Sequence, residues 1–143
     1  MSRNRAKLEI KGISDNIGLA RVTVASFAAQ LEFTLSEIEE IKVATSEAVS
    51  NAIIHGYGES EGSIQITLEL EGEELTIIVE DYGVGIEDIE QACEPDYTTA
   101  DRMGLGLVFI DSFMDQVDIE SQLEQGTKIK MQKTPEKLKK KAK

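Results

Sequence analysis

Glu47, Asn51 and His55 recur at four-residue spacing within SEAVSNAIIHGYG (46–58), on a segment that also has the apolar rhythm of a buried helix. At about 3.6 residues per turn they line up as one stripe beside the packed face. A carboxylate there can orient or deprotonate a hydroxyl nucleophile, and an amide oxygen is a hard ligand suited to Mg²⁺. Taken alone, the stripe reads more simply as the half-exposed polar flank of a core helix. Two glycine-bearing segments weigh against that simpler reading. Asp81-Tyr82-Gly83-Val84-Gly85 closes an apolar run. Alternating glycines let the backbone approach a flat ligand, and the carboxylate accepts hydrogen bonds from an exocyclic amine. Met103-Gly104-Leu105-Gly106-Leu107 opens a helical pattern. Bare amides at a helix start face phosphate oxygens well, and Arg102 beside them can grip a phosphate with two parallel hydrogen bonds. There is no phosphate loop of the G-x-x-x-x-G-K-[ST] type, and the Gly-x-Gly does not follow a strand as a dinucleotide fingerprint does. Each of the three pieces is weak by itself; in this order and spacing they are strong.

The elements that must hold these residues follow from periodicity. AKLEIKGI (6–13) alternates apolar and charged residues and predicts a strand. SDN (14–16) offers caps for a helix reaching about Leu31, and Thr34-Leu35-Ser36-Glu37 is a capping box for the next helix. That second helix buries Ile38, Ile41, Ala44, Ala48 and Ala52 and is expected to stop at His55-Gly56, glycine supplying the left-handed residue. GSIQITLEL (62–70) and ELTIIVED (74–81) predict a hairpin. Residues 86–93 follow as a short helix, 94–102 as an exposed loop and 106–114 as a helix. VDIES and TKIKMQ form a second hairpin around Glu124-Gln125-Gly126. The fold class is α/β (α+β): a two-layer sandwich with helices on one face of a mixed, largely antiparallel sheet.

Size and charge narrow the function. A chain of 143 residues suffices for one domain with a core of its own. No apolar run approaches the ~20 residues of a membrane span, and the basic start, MSRNRAKLEIKG, has no secretion-signal core, which points to the cytoplasm. The lone Cys93 excludes an internal disulfide and a cysteine cage for zinc. Net charge is −12; the last eleven residues, with six lysines and one glutamate, hold +5, leaving −17 on residues 1–132. So acidic a body does not suit nucleic acid. Residues 1–132 are therefore read as the functional domain, and 133–143 as a solvated, disordered lysine tail.

With these residues in view, the chain resembles the gyrase, histidine-kinase and MutL type of ATPase, which folds as an α/β sandwich around a Bergerat nucleotide site. Glu47 and Asn51 match its N-box; Asp81, Gly83 and Gly85 its D-x-G-x-G box; Gly104 and Gly106 its next glycine box; and Gly126-Thr127 its terminal Gly-Thr. Within that superfamily ARVTVASFAAQL (20–31), EIKVATSEAVSNAIIHGY (40–57) and SFMDQVDIES (112–121) are similar to the anti-sigma F factor and serine-protein kinase family, across residues 7–131.

The resemblance implies ATP or ADP with Mg²⁺ as ligands. Asp81 would read the adenine amine with Thr127 near the same ring, and Asn51 would ligate Mg²⁺. Gly83, Gly85, Gly104, Leu105 and Gly106 would admit the nucleotide and its lid, together with Thr98 and Thr99. Arg102 aligns with a lid arginine that contacts the γ-phosphate, Glu47 with the base that positions a target serine, and Arg21 with a partner-facing arginine. The implied function is that of a cytoplasmic homodimer that holds a sigma factor, sporulation sigma F first, and phosphorylates a serine of a STAS-type anti-anti-sigma protein. Two departures stand out: only ADRM (100–103) separates Thr99 from Gly104, less than the family's usual lid, and Leu105 replaces a methionine. The alternatives are a nucleotide-binding sequestering module without kinase activity, a kinase of the general stress (sigma B type) pathway, or a detached histidine-kinase catalytic domain. The last lacks a dimerisation helix with an acceptor histidine ahead of the domain.

Overall fold

The computed structural model describes residues 3–57, 62–82, 103–122 and 126–141. Five strands make one sheet: β1 (Asn4–Lys11), β2 (Ser63–Glu71), β3 (Glu74–Asp81), β4 (Gln116–Gln122) and β5 (Gly126–Lys133), in the order β1-β2-β3-β5-β4. Every pairing among them is antiparallel, so the largely antiparallel sheet expected from the hairpins is found with no parallel pair among the described strands. The α+β sandwich is as the periodicity predicts.

Alternation decides the faces. Ile64, Ile66, Leu68 and Leu70 of β2 and Leu75, Ile77 and Val79 of β3 are buried with Ile129 and Met131 of β5, all on the face turned to the helices. Each such side chain contributes on the order of 1.5–3 kcal/mol by leaving water. Three helices cover that face: α1 (Ile17–Ala28), α2 (Leu35–Asn51) and α3 (Met103–Phe113). The central one is α2, packed against both α1 and α3, and its contact face is made of Ile41, Ala44, Ala48 and Val49. Its interior hydroxyls are satisfied locally: Thr45 donates to the Ile41 carbonyl at 2.8 Å and Ser46 to that of Lys42 at 2.9 Å.

Local signals mostly hold. The capping box forms as written, Glu37 N–H donating to Thr34 Oγ1 at 3.1 Å and Thr34 N–H to Glu37 Oε1 at 2.9 Å. Gly72, at φ +58°, turns the β2–β3 hairpin. Other expectations are corrected. SDN forms a 3-10 turn ahead of α1, and Asn16 donates to the Lys11 carbonyl at 3.0 Å instead of capping the helix. The helical run reaches the expected end near His55-Gly56, but its last turn, Ala52–Tyr57, is π-helical and not α-helical. The expected helix at 86–93, the loop at 94–102 and Cys93 lie outside the described residues.

The boundary after residue 132 falls inside β5. Lys133 is its last residue, buried, with Nζ donating to the Phe113 carbonyl at the end of α3 and ion-paired to Glu40 of α2 at 3.6 Å. Beyond it Glu136–Lys141 forms a short helix, α4, whose Glu136 N–H donates to Glu37 Oε2 at 2.9 Å; Lys137 pairs with Glu32 at 3.4 Å. One buried carboxylate, Glu37, thus serves the first turns of α2 and α4 together. Among the described residues, no helix is long and apolar enough to cross a membrane.

Glu37→Ala removes both acceptors at once. We expect it to lower unfolding stability by about 2–3 kcal/mol, read as a lower urea midpoint at unchanged slope. Leu35→Ala, two residues earlier in the same turn and 87% exposed, should move the midpoint by under about 0.5 kcal/mol.

Candidate functional site

Chain direction brings the candidate residues to one end. Glu37 and Glu40, near the start of α2, meet Glu136 and Lys133 just past and at the end of β5, and Lys133 also holds the end of α3. Antiparallel pairing places the end of β3 and the start of β5 at the opposite end of the sheet. There the π-helical turn that continues from Asn51 packs on β3 and β5. The first turn of α3, with Gly104, Leu105 and Gly106, also runs toward that end. These glycines lie inside the helix, which begins at Met103, and not before it as expected. The N–H groups of Gly104 and Leu105 belong to the first four, which a helix leaves without internal acceptors.

Asp81, Thr127 and Ser121 form a row across β3, β5 and β4, because Asp81 is register partner of Thr127 and Thr127 of Ser121. Directly opposed residues share a face, here the helix-covered one. Asp81 and Thr127 are buried at 6% and 7% exposure; Ser121 is half-buried. Ser121 Oγ and Thr127 Oγ1 are 2.8 Å apart, and Ser121 also donates to the Gly126 carbonyl at 3.3 Å. Gly126, at φ +106°, tolerates no side chain: a Cβ there would stand 2.1 Å from the Asp81 carbonyl oxygen. At this end of the sheet opens a cavity of about 180 Å³ lined by Asp81, Tyr82, Ser121, Gly126 and Thr127, and equally by Glu80, Glu120 and Lys128, the neighbouring row on the other face.

Asn51 is buried at 6% exposure, and its Nδ2 has no hydrogen-bond partner among the described residues. Buried amides are ordinarily satisfied, so this orphan at the end of a well-packed helix makes Asn51 a candidate ligand contact. The amide's oxygen and nitrogen are assigned from surroundings, and either can be turned to a ligand. Among the described residues no three His, Cys, Asp or Glu side chains gather as a metal cage. Mg²⁺ commonly makes do with one or two protein oxygens plus phosphates, and Asn51 fits that pattern.

Glu47, one turn earlier, is half-buried and lines a separate cavity of about 400 Å³ with Arg21, Lys42 and Ser46. The structure therefore joins the candidate base to the exposed Arg21 of α1. Gly83, Gly85, Thr98, Thr99 and Arg102 lie outside the described residues, and His55 is described only as part of the π-helical turn. Sequence reading missed Ser121. Its sequence signals are alternation with Val117 and Ile119 and the hairpin around Glu124-Gln125-Gly126; the exact register of that turn is what aims it at Thr127.

Residues 14–133 match the family model described as a histidine kinase-like ATPase domain. The anti-sigma F factor of Clostridium acetobutylicum is 49% identical over 136 residues, covering 93% of this chain and 95% of that one. That of Bacillus subtilis is 46% identical over 135 residues, with 92% of each chain covered. The chain belongs to the anti-sigma F factor family. As a member, it carries the nucleotide-binding ATPase domain on which the family is built. Among solved structures, the RsbU and RsbW domains of a Mycobacterium tuberculosis protein superpose with a TM-score of 0.64 at 22% identity. The match takes in 90% of this chain and 32% of that one, so this chain spans about a third of its length. A blue-light activated histidine kinase of Erythrobacter litoralis gives a TM-score of 0.57 at 19% identity, over 90% of this chain and 43% of that one. Both likenesses speak for the fold.

Gly126→Ala should be among the most damaging single-methyl changes in this anti-sigma F family member. The added carbon meets backbone and the left-handed φ is strained as well. We expect a loss of at least about 2 kcal/mol in thermal or urea unfolding.

Proposed function

We propose that this protein is a cytoplasmic, ATP-dependent anti-sigma factor, homodimeric, that sequesters sporulation sigma F and phosphorylates a serine of a STAS-type anti-anti-sigma protein. The observation that carries the nucleotide part is Asn51: a buried amide whose donor has no partner among the described residues, at the sheet end that also holds the buried Asp81. The sigma factor and its antagonist come from the names of the relatives and from the family resemblance.

In this reading Asp81 accepts from the adenine amine, with Thr127 beside it. Asn51 Oδ1 holds Mg²⁺, which supplies neutralisation of the phosphate charge when bound. The free amides at the start of α3 face phosphate oxygens, and Arg102 supports the γ-phosphate. Glu47 accepts the proton of the target serine as its oxygen attacks the γ-phosphorus and ADP leaves. Arg21, in the cavity shared with Glu47, receives the partner. A switch then needs only different affinities of sigma factor and antagonist for overlapping surfaces, biased by the bound nucleotide.

Transfer of labelled γ-phosphate from Mg-ATP to a purified antagonist tests this directly. Wild type should label it. Asp81→Asn should lose both ADP binding and transfer while keeping the fold. Glu47→Ala should bind ADP normally and transfer at least about 100-fold more slowly. Normal ADP binding by Asp81→Asn would remove the pocket assignment. The short ADRM segment favours the other reading, a sequestering module. Nucleotide binding without transfer to antagonists of several sigma pathways would establish that one.

A further inference from the structure

The transverse row on the sheet holds one more residue than the proposed nucleotide site uses. Ser121 faces the helices from β4, directly opposite Thr127, which in turn stands opposite Asp81. A serine hydroxyl has a single proton and two lone pairs, and a carbonyl oxygen can only accept. Ser121 Oγ donates to the Gly126 carbonyl at 3.3 Å. The 2.8 Å contact between the two hydroxyls can be donated from either side, and both contacts of Ser121 are hydrogen bonds at once only when Thr127 gives its proton to Ser121. Thr127 is left with lone pairs alone for anything else it meets. Asp81, the neighbouring buried side chain of the row, likewise presents acceptor oxygens.

We propose that Ser121 is a positioning residue that fixes Thr127 as a hydrogen-bond acceptor, so that the row selects a 6-amino purine over a 6-oxo purine. This rests on the nucleotide reading given above. An exocyclic amine brings protons to two acceptors. A 6-oxo group brings lone pairs to the same atoms and leaves buried acceptors unpaired, the arrangement that discriminates most strongly between ring edges. Gly126 supports the same geometry. Its backbone touches Asp81 so closely that the carbonyl receiving Ser121 has little room to shift. Without Ser121, the Thr127 proton is free to turn toward a 6-oxo oxygen, and the row loses its one-sided character.

The test is calorimetric binding of ADP and of inosine diphosphate to the full chain, as wild type, Ser121→Ala, Ser121→Thr and Thr127→Val. Wild type should prefer ADP. Ser121→Ala should reduce that preference about three- to tenfold by weakening ADP and not inosine diphosphate. Ser121→Thr, which keeps the hydroxyl, should retain the preference. Adding Ser121→Ala to Thr127→Val should change the ratio no further, since the effect passes through the Thr127 hydroxyl. Should Ser121→Ala not fold by circular dichroism, Ser121→Cys, near in size and far weaker as donor and acceptor, carries the same expectation. An unchanged ratio in a folded variant, or an equal loss for both nucleotides, overturns the role of Ser121 and leaves the nucleotide site standing. Wild type that binds neither nucleotide removes the nucleotide reading and this inference with it.

Discussion

The structure depends on the burial of one face of α2. Ile41, Ala44, Ala48 and Val49 are wholly buried, and Ala52 continues the face into the π-helical turn. The alanines, four apart, keep the helix slim enough for α1 and α3 to pack on its two sides while the sheet lies beneath. Larger side chains at those positions would push the neighbours outward, and core overpacking is costly. The same geometry sets the fate of the polar stripe. Four residues advance a helix about 40° beyond a full turn, so the stripe drifts around the axis. Glu47 remains half-buried, whereas Asn51 is carried into the buried face at the sheet end.

The two ends of the molecule are built on opposite principles. At one end the buried charged groups Glu37 and Lys133 have partners. Lys133 spans Phe113 and Glu40; Glu37 accepts from Thr34 and Glu136; Thr134 N–H donates to Asp115 at 2.8 Å. Burying a cation and a carboxylate without such partners would cost several kcal/mol, so these contacts fix the relative positions of α2, α3 and β5. At the other end Asn51 Nδ2 has no partner among the described residues, and a cavity opens beside Asp81 and Thr127. A clamp at one end lets the other keep unspent hydrogen-bonding capacity without loosening the fold. That is the pattern expected where a ligand completes the site.

Much of this was legible in the sequence. Alternation predicted all five strands, the capping box of α2 forms atom for atom, and the acid, amide and glycine segments by themselves suggest a flat, amine-bearing ligand, phosphate oxygens and a hard cation. The misreadings have physical causes. α2 reads as α-helical to its end near His55-Gly56, yet the last turn, packed on β3 and β5, is π-helical. The lysine tail looked solvated because its composition is polar. Tertiary partners for Lys133, Glu136 and Lys137 override composition at its start.

By itself the sequence determined which elements form, which of their faces are apolar, and which residue types are available for chemistry. Those properties are local, set by periodicity, capping and side-chain functional groups. Only the tertiary structure decided which of these residues meet. The row of Asp81, Thr127 and Ser121 exists because the β4–β5 hairpin pairs with the distant β3 in one register, and a slip of a single residue would turn any of the three to the opposite face. The tight contact of Gly126 with Asp81 and the orphaned amide of Asn51 likewise depend on how strands and helices dock. Their energies come from neighbours that no stretch of sequence holds side by side.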